Sequence, residues 1–143
     1  MLAMRDGTAA PCPLTRIEGG TMPRKKILLV DDSQTILRIE QMALGEHYDL
    51  ITANDGSRGI EVALEQRPDL ILLDVVMPHM NGFDACRQLR ADEATRSTPI
   101  LLVTSRSDVA HMEQGFRCGC SDFVTKPIDT MELLEKVRNC LGD

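Results

Sequence analysis

The chain has 143 residues, 43% of them hydrophobic and 27% charged, which gives room for one domain with a real core and little else. Its net charge of -6 argues against nucleic acid as a direct partner and against an anionic membrane surface, since both demand a basic face. No apolar run reaches the roughly 20 residues of a membrane-spanning helix, and no basic segment followed by an apolar stretch marks a secretory signal.

Residues 1–23 hold Gly7, Gly19, Gly20, Pro11, Pro13 and Pro23 and show no period, and Arg5 and Arg16 cancel Asp6 and Glu18. They read as an N-terminal extension (a mobile tail, an upstream start or an expression remnant) ahead of a domain over 24–143. Ile27-Leu28-Leu29-Val30 is uninterrupted, as expected of a strand buried on both faces. From Ser33 to about Leu44, Ile36, Leu37, Ile39, Ala43 and Leu44 recur at near-helical spacing, with Gly45 as the stop. Asp49–Ala53 is a second, weaker strand, closed by Asn54-Asp55-Gly56. Arg58–Glu65 predicts a short helix with Ile60, Ala63 and Leu64 facing in. After Pro68, Leu70-Ile71-Leu72-Leu73 is a third buried strand.

Met77-Pro78-His79-Met80-Asn81-Gly82 is a loop, and Phe83, Cys86 and Leu89 mark the inner face of the next helix. Pro99 precedes a fourth strand, Ile100-Leu101-Leu102-Val103. A helix from about Asp108 to Cys118 presents Val109, Met112 and Phe116, followed by a short fifth strand over Asp122–Thr125. Asp129-Thr130-Met131-Glu132 forms a capping-box pattern, and the last helix runs to about Leu141. Five βα units with short connections imply a parallel sheet, helices on both of its faces and right-handed crossovers.

The five cysteines (Cys12, Cys86, Cys118, Cys120 and Cys140) are an odd number without a framework spacing, and read as reduced thiols in a cytosolic protein. Cys118-Gly119-Cys120 lacks the two or more intervening residues and the second ligand pair of a zinc site. His47, His79 and His111 sit in unrelated units with no i, i+4 partner, and read as surface or loop residues.

Chemistry gathers at the strand ends. In a parallel α/β sheet ligands bind outside the C-terminal ends of the strands, and there stand Asp31-Asp32, Asp74, Thr104 and Lys126. Each has an ordinary explanation: a helix N-terminus for the acid pair, a turn aspartate, a β-branched strand terminus, a solvated lysine. Together they form a pocket of three carboxylates that needs a counter-ion, since one such pair at about 4 Å costs on the order of 4 kcal/mol at an effective dielectric near 20. Mg²⁺ suits that oxygen set, and a carboxylate can act as a nucleophile and form an acyl phosphate.

From about residue 24 to the end, the chain resembles the receiver domain of two-component response regulators, either a free-standing one of the chemotaxis-regulator type or the receiver of a longer chain. The matching pieces are Ile27–Val30 with Asp31-Asp32-Ser33, then Leu70–Asp74 with Met77-Pro78 and Asn81-Gly82, then Val103-Thr104-Ser105, Gly119 and Phe123-Val124-Thr125-Lys126-Pro127. The resemblance implies a doubly wound (βα)5 flavodoxin-like fold with three layers around a five-stranded parallel sheet. It implies that Asp74 accepts a phosphoryl group from a sensor histidine kinase or a histidine phosphotransfer protein. Asp31, Asp32, Asp74 and the backbone carbonyl of Val76 would hold Mg²⁺. Thr104 and Lys126 would contact the phosphoryl group, the Lys126–Pro127 peptide would be cis, and Phe123 would change rotamer with Thr104. A downstream protein would then read the face built by the helix over 108–118, the fifth strand and the last helix. Val76 and Arg106 are expected at the cleft mouth, where they would set water access to the phosphoaspartate.

The resemblance further implies a cytoplasmic signalling protein whose only chemistry is its own phosphorylation and dephosphorylation, either monomeric or a homodimer. Two alternatives are weighed against it. Aspartate-based phosphatases carry an acid two residues after the nucleophile, where this chain has Val76. A receiver-like fold that binds partners without being phosphorylated would have no need of the intact acids, Thr104 and Lys126.

Overall fold

In the computed structural model, the described residues are 24–105 and 117–142. They form five strands and the helices between them: β1 (Lys26–Val30), α1 (Gln34–Leu44), β2 (Asp49–Ala53), α2 (Gly56–Gln66), β3 (Leu70–Asp74), α3 (Gly82–Ala91), β4 (Ile100–Ser105), β5 (Asp122–Lys126) and α4 (Thr130–Leu141). Every strand pair is parallel, in the order β2-β1-β3-β4-β5. This is the flavodoxin-like arrangement expected of the alternating pattern. Of the helix expected over 108–118, only the final turn at Arg117 and Cys118 falls among the described residues, and the expected extension over 1–23 lies outside them. Among the described residues, no helix is long and apolar enough to cross a membrane.

Strand alternation divides the core in two. Leu28, Val30, Ile71, Leu73 and Leu102 pack under α2 and α3 with Phe83, Cys86 and Leu89. Ile27, Leu29, Leu72, Leu101 and Val103 pack under α1 and α4 with Leu37, Leu44, Leu133 and Val137. Burial on both faces explains why the central strands read as unbroken apolar runs.

Side-chain caps set the helix starts. Ser33 Oγ accepts from the Ile36 N–H at 3.3 Å, and Asp55 Oδ1 accepts from the Arg58 N–H at 2.8 Å. Asn81 Oδ1 accepts from the Asp84 N–H at 2.9 Å, and Asp129 Oδ1 accepts from the Met131 and Glu132 N–H groups. Because Asp55 is the cap, α2 begins at Gly56, two residues before the expected start.

Two helix faces differ from expectation. Leu64 of α2 is exposed; Ala63 is buried and Ile60 packs half-buried against the core as expected, and Gly59 and Val62 join them on the inner face. Gly59 lets α2 close on β1: a Cβ there would stand 2.9 Å from Val30 Cγ2. On α1 the fully buried residues are Leu37, Glu40 and Leu44, while Ile36, Ile39 and Ala43 are only half-buried.

Gly82 brings α3 against the end of β3. Its N–H donates to the Val75 carbonyl at 2.8 Å, and an added Cβ would run into the Asp74 carbonyl and lie 2.9 Å from Val75 Cα. Gly→Ala inside a helix ordinarily stabilises by roughly 0.5–1 kcal/mol. Here the sign reverses, because backbone must move. Urea unfolding of Gly82→Ala is expected to show lower stability than the parent; a gain would contradict this packing.

Candidate functional site

The sheet delivers each site residue at one edge. Asp31 follows β1 directly. Its N–H donates to the Ala53 carbonyl at 3.1 Å, and its Oδ1 accepts from the Ser33 N–H at 2.9 Å. The backbone is thus held by β2 and one carboxylate oxygen by Ser33, and only 1% of the residue is exposed. Asp32, next along, is exposed to solvent. Asp74 is the last residue of β3 and 2% exposed. Its carboxylate accepts from the Val76 N–H, and Lys126 Nζ lies 3.2 Å from its Oδ1. One carboxylate oxygen from each of Asp31, Asp32 and Asp74 falls within 4.8 Å of the other two.

Register completes the edge. Asp74 pairs with Val103, Thr104 with Thr125, and Ser105 with Lys126. Thr104 is 2% exposed. Phe123 pairs with Leu102 and is buried in the core under α2 and α3. Alternation puts Thr104 on the same side of β4 as Leu102, so Thr104 and Phe123 share one face of the sheet. Val76 leaves its side chain in solvent at 67% exposure, and the Lys126–Pro127 peptide is cis. The structure thus brings together Asp31, Asp32, Asp74 and Lys126, with Thr104 and the Val76 backbone at the same edge. Arg106 lies outside the described residues.

The electrostatics are those of an overcrowded anionic notch. Burial pushes the Asp31 carboxyl up to about 6; the Ser33 N–H opposes the rise, while the Asp74 charge adds to it. Burial also raises Asp74, with Lys126 pulling against it. Among the described residues, three buried side-chain oxygens have no hydrogen-bond partner: Asp31 Oδ2, Thr104 Oγ1 and Glu40 Oε1. Such atoms are uncommon in folded proteins and call for an explanation. The first two belong to the notch. An unsatisfied carboxylate oxygen beside two more carboxylates fits a hard divalent cation, and an unsatisfied hydroxyl at the same edge fits an incoming oxyanion.

The third was missed in the sequence. Glu40 is a carboxyl group only 1% exposed, in the middle of the buried stripe Leu37-Glu40-Leu44. Its signal was an acid three residues after one buried leucine and four before the next.

By contrast, the cysteines among the described residues, Cys86, Cys118, Cys120 and Cys140, are thiols and form no reactive centre. Burial raises the Cys86 thiol and pushes Cys120 up to about 12, so both stay protonated and unreactive.

Comparison with known proteins follows the same geometry. The family model described as the response regulator receiver domain matches residues 27–138. Response regulator PleD of Caulobacter vibrioides is 43% identical over 115 residues, covering 80% of this chain and 25% of that protein. A putative response regulator from Chloroflexus aurantiacus superposes with a TM-score of 0.81 at 29% identity, over 85% of this chain and 100% of that one. Chemotaxis response regulator CheY4 of Vibrio cholerae gives 0.78 at 31% identity, over 82% and 99%. The chain spans between a quarter and about half of the length of the curated relatives it matches.

Glu40 generates a stability prediction. Burial pushes its carboxyl from 4.5 up to about 9. Below 4.5 the folded and unfolded forms are both protonated. Between 4.5 and 9 only the unfolded form ionises, so stability falls as pH rises. Without divalent ions, the parent is expected to lose about 4 kcal/mol relative to Glu40→Gln between pH 5 and pH 8. Parallel stability–pH curves for the two proteins would contradict a buried, protonated Glu40.

Proposed function

The chain belongs to the response regulator receiver domain family, the phosphorylation-dependent switch of two-component signalling, and on that premise we propose that Asp74 is its phosphoacceptor. The observation that supports this most is the setting of Asp74. It is buried at the centre of the sheet edge, with Lys126 Nζ at 3.2 Å and two further carboxylates beside it.

A carboxylate oxygen of Asp74 attacks the phosphorus of a phosphohistidine on a sensor histidine kinase or a histidine phosphotransfer protein. The new O–P bond makes an acyl phosphate, the P–N bond breaks, and its electron pair stays with the departing imidazole. Asp31, Asp32, Asp74 and the Val76 carbonyl are the groups that would hold Mg²⁺, which when bound neutralises charge on the acids and on the transferring group. Lys126 already stands at Asp74 and offers its ammonium to a phosphoryl oxygen. Thr104 Oγ1, with no partner among the described residues, donates to another. Water attack on phosphorus returns the free carboxylate, so the domain dephosphorylates itself without being a turnover enzyme.

The readout follows from the shared face of Thr104 and Phe123. As the Thr104 hydroxyl turns toward the phosphoryl group, the Phe123 ring moves into the space released. That couples the site to the surface of β5 and α4, where a downstream protein docks. Met131 of α4 already stands 77% exposed there. The thiol cysteines and acidic surface fit action in the cytoplasm. The domain is read as residues 24–143, and protein is favoured over nucleic acid as the direct partner. DNA-binding response regulator MtrA of Mycolicibacterium smegmatis matches this chain over 50% of its own length.

With acetyl phosphate and Mg²⁺, intact mass spectrometry is expected to show one added phosphoryl group on the parent. Asp74→Asn should show none, and Lys126→Ala should be modified at least about tenfold more slowly. Equal labelling of the parent and Asp74→Asn would overturn the assignment.

A further inference from the structure

Two of the three partnerless buried oxygens belong to the acid notch; Glu40 Oε1 does not. Its helix nevertheless covers the same face of the sheet. Alternation along β1, β3 and β5 places Asp31, Asp74 and Lys126 on the face that carries Leu29, Leu72 and Val124. That face is covered by α1 and α4, and Glu40 lies on the inward stripe of α1 between Leu37 and Leu44. Glu40 therefore sits in the layer directly behind the notch. The fields of the notch reach it: Asp31 and Asp74 raise its affinity for a proton and Lys126 lowers it. β1 thus brings Asp31, β3 brings Asp74 and β5 brings Lys126. β2 and α4 also pack against α1, and neither adds a charge that acts on it.

Burial alone does not account for the residue. A leucine would continue the stripe and leave no oxygen unsatisfied. A buried acid behind a cation pocket has a property leucine lacks: its charge can respond to what enters the pocket. A cation favours the ionised form of a nearby acid, and by linkage the ionised acid favours the cation.

We propose that Glu40 is a positioning residue for the cation pocket, a carboxyl behind Asp31, Asp32 and Asp74 that releases its proton to solvent when a divalent cation enters. The step balances as the neutral acid plus the free cation giving the carboxylate, the bound cation and one proton. Cation binding to this domain is thereby coupled to proton release above neutral pH. The inference rests on the reading of the three-acid pocket as a Mg²⁺ site.

The test is calorimetric titration of the parent and Glu40→Gln with MgCl₂ alone at pH 8, in two buffers of different ionisation enthalpy. At that pH Asp31, raised to about 6, is already ionised in both proteins. The parent is expected to release up to about one proton more per Mg²⁺ than the variant, and its affinity should rise about threefold or more between pH 7 and pH 8.5. The variant should change much less. Equal proton release and equal pH slopes would overturn the role of Glu40 while leaving the Mg²⁺ site intact. Absence of Mg²⁺ binding to the parent would overturn both. Should Glu40→Gln fail to fold, carboxyl ¹³C NMR of the parent decides. The Glu40 resonance should titrate near pH 9 without Mg²⁺ and at clearly lower pH with it; an unmoved midpoint overturns the inference.

Discussion

Three carboxylates, two of them buried, share one notch with the Lys126 ammonium, and the described strands hold them there. Like charges at such spacings repel by several kcal/mol even in a half-screened medium. A flexible chain would relieve the strain by moving apart. Here it cannot. The backbone of Asp31 is tied to Ala53, Val75 to Val103 and Gly82 to Val75. Behind them the strands are buried on both faces, so displacing one carboxylate means displacing a strand.

A notch that cannot relax has two answers to its own field, a proton or a cation. Burial raises the proton affinity of Asp31 and Asp74, which is the first answer. A hard divalent ion is the second, and it frees the carboxylates for chemistry. A proton and a cation compete for the same oxygens, so a cation in this notch would be linked to its protonation, and the proposed role of Glu40 extends that linkage into the core.

The geometry also explains how a single modification would be felt at a distance. Thr104 and Phe123 occupy one face of adjacent strands, and close packing passes a hydroxyl movement on to its neighbours. Lys126 is held by the same strand as Phe123. Under the proposed switch, charge sensing and surface readout share β5, which carries Lys126 at its end and Phe123 near its start.

Much of this was legible in the sequence. Continuous runs such as Leu70–Leu73 declare strands buried on both faces, and the acids that end them must lie at the ligand edge. Caps such as Ser33 and Asp129 announced the helices they begin. Rotation of the helices was less legible. Leu64 completed as plausible a stripe with Ile60 and Ala63 as Val62 does, and the close approach of Gly59 to Val30 turns the helix so that Val62 faces in and Leu64 out. Glu40 was hidden for a related reason. A charged residue inside an apolar pattern is assigned to the outer face by default, and its burial emerges only once α1 is docked on the sheet.

The central claim, that the crowded acids exist to house a divalent cation, is tested most directly by the melting temperature of the domain against MgCl₂ at constant ionic strength. Preferential binding to the folded state predicts a steady rise with Mg²⁺ concentration, lost when Asp32 and Asp74 are both replaced by Asn. A melting temperature indifferent to Mg²⁺, or raised equally in the double variant, would contradict it.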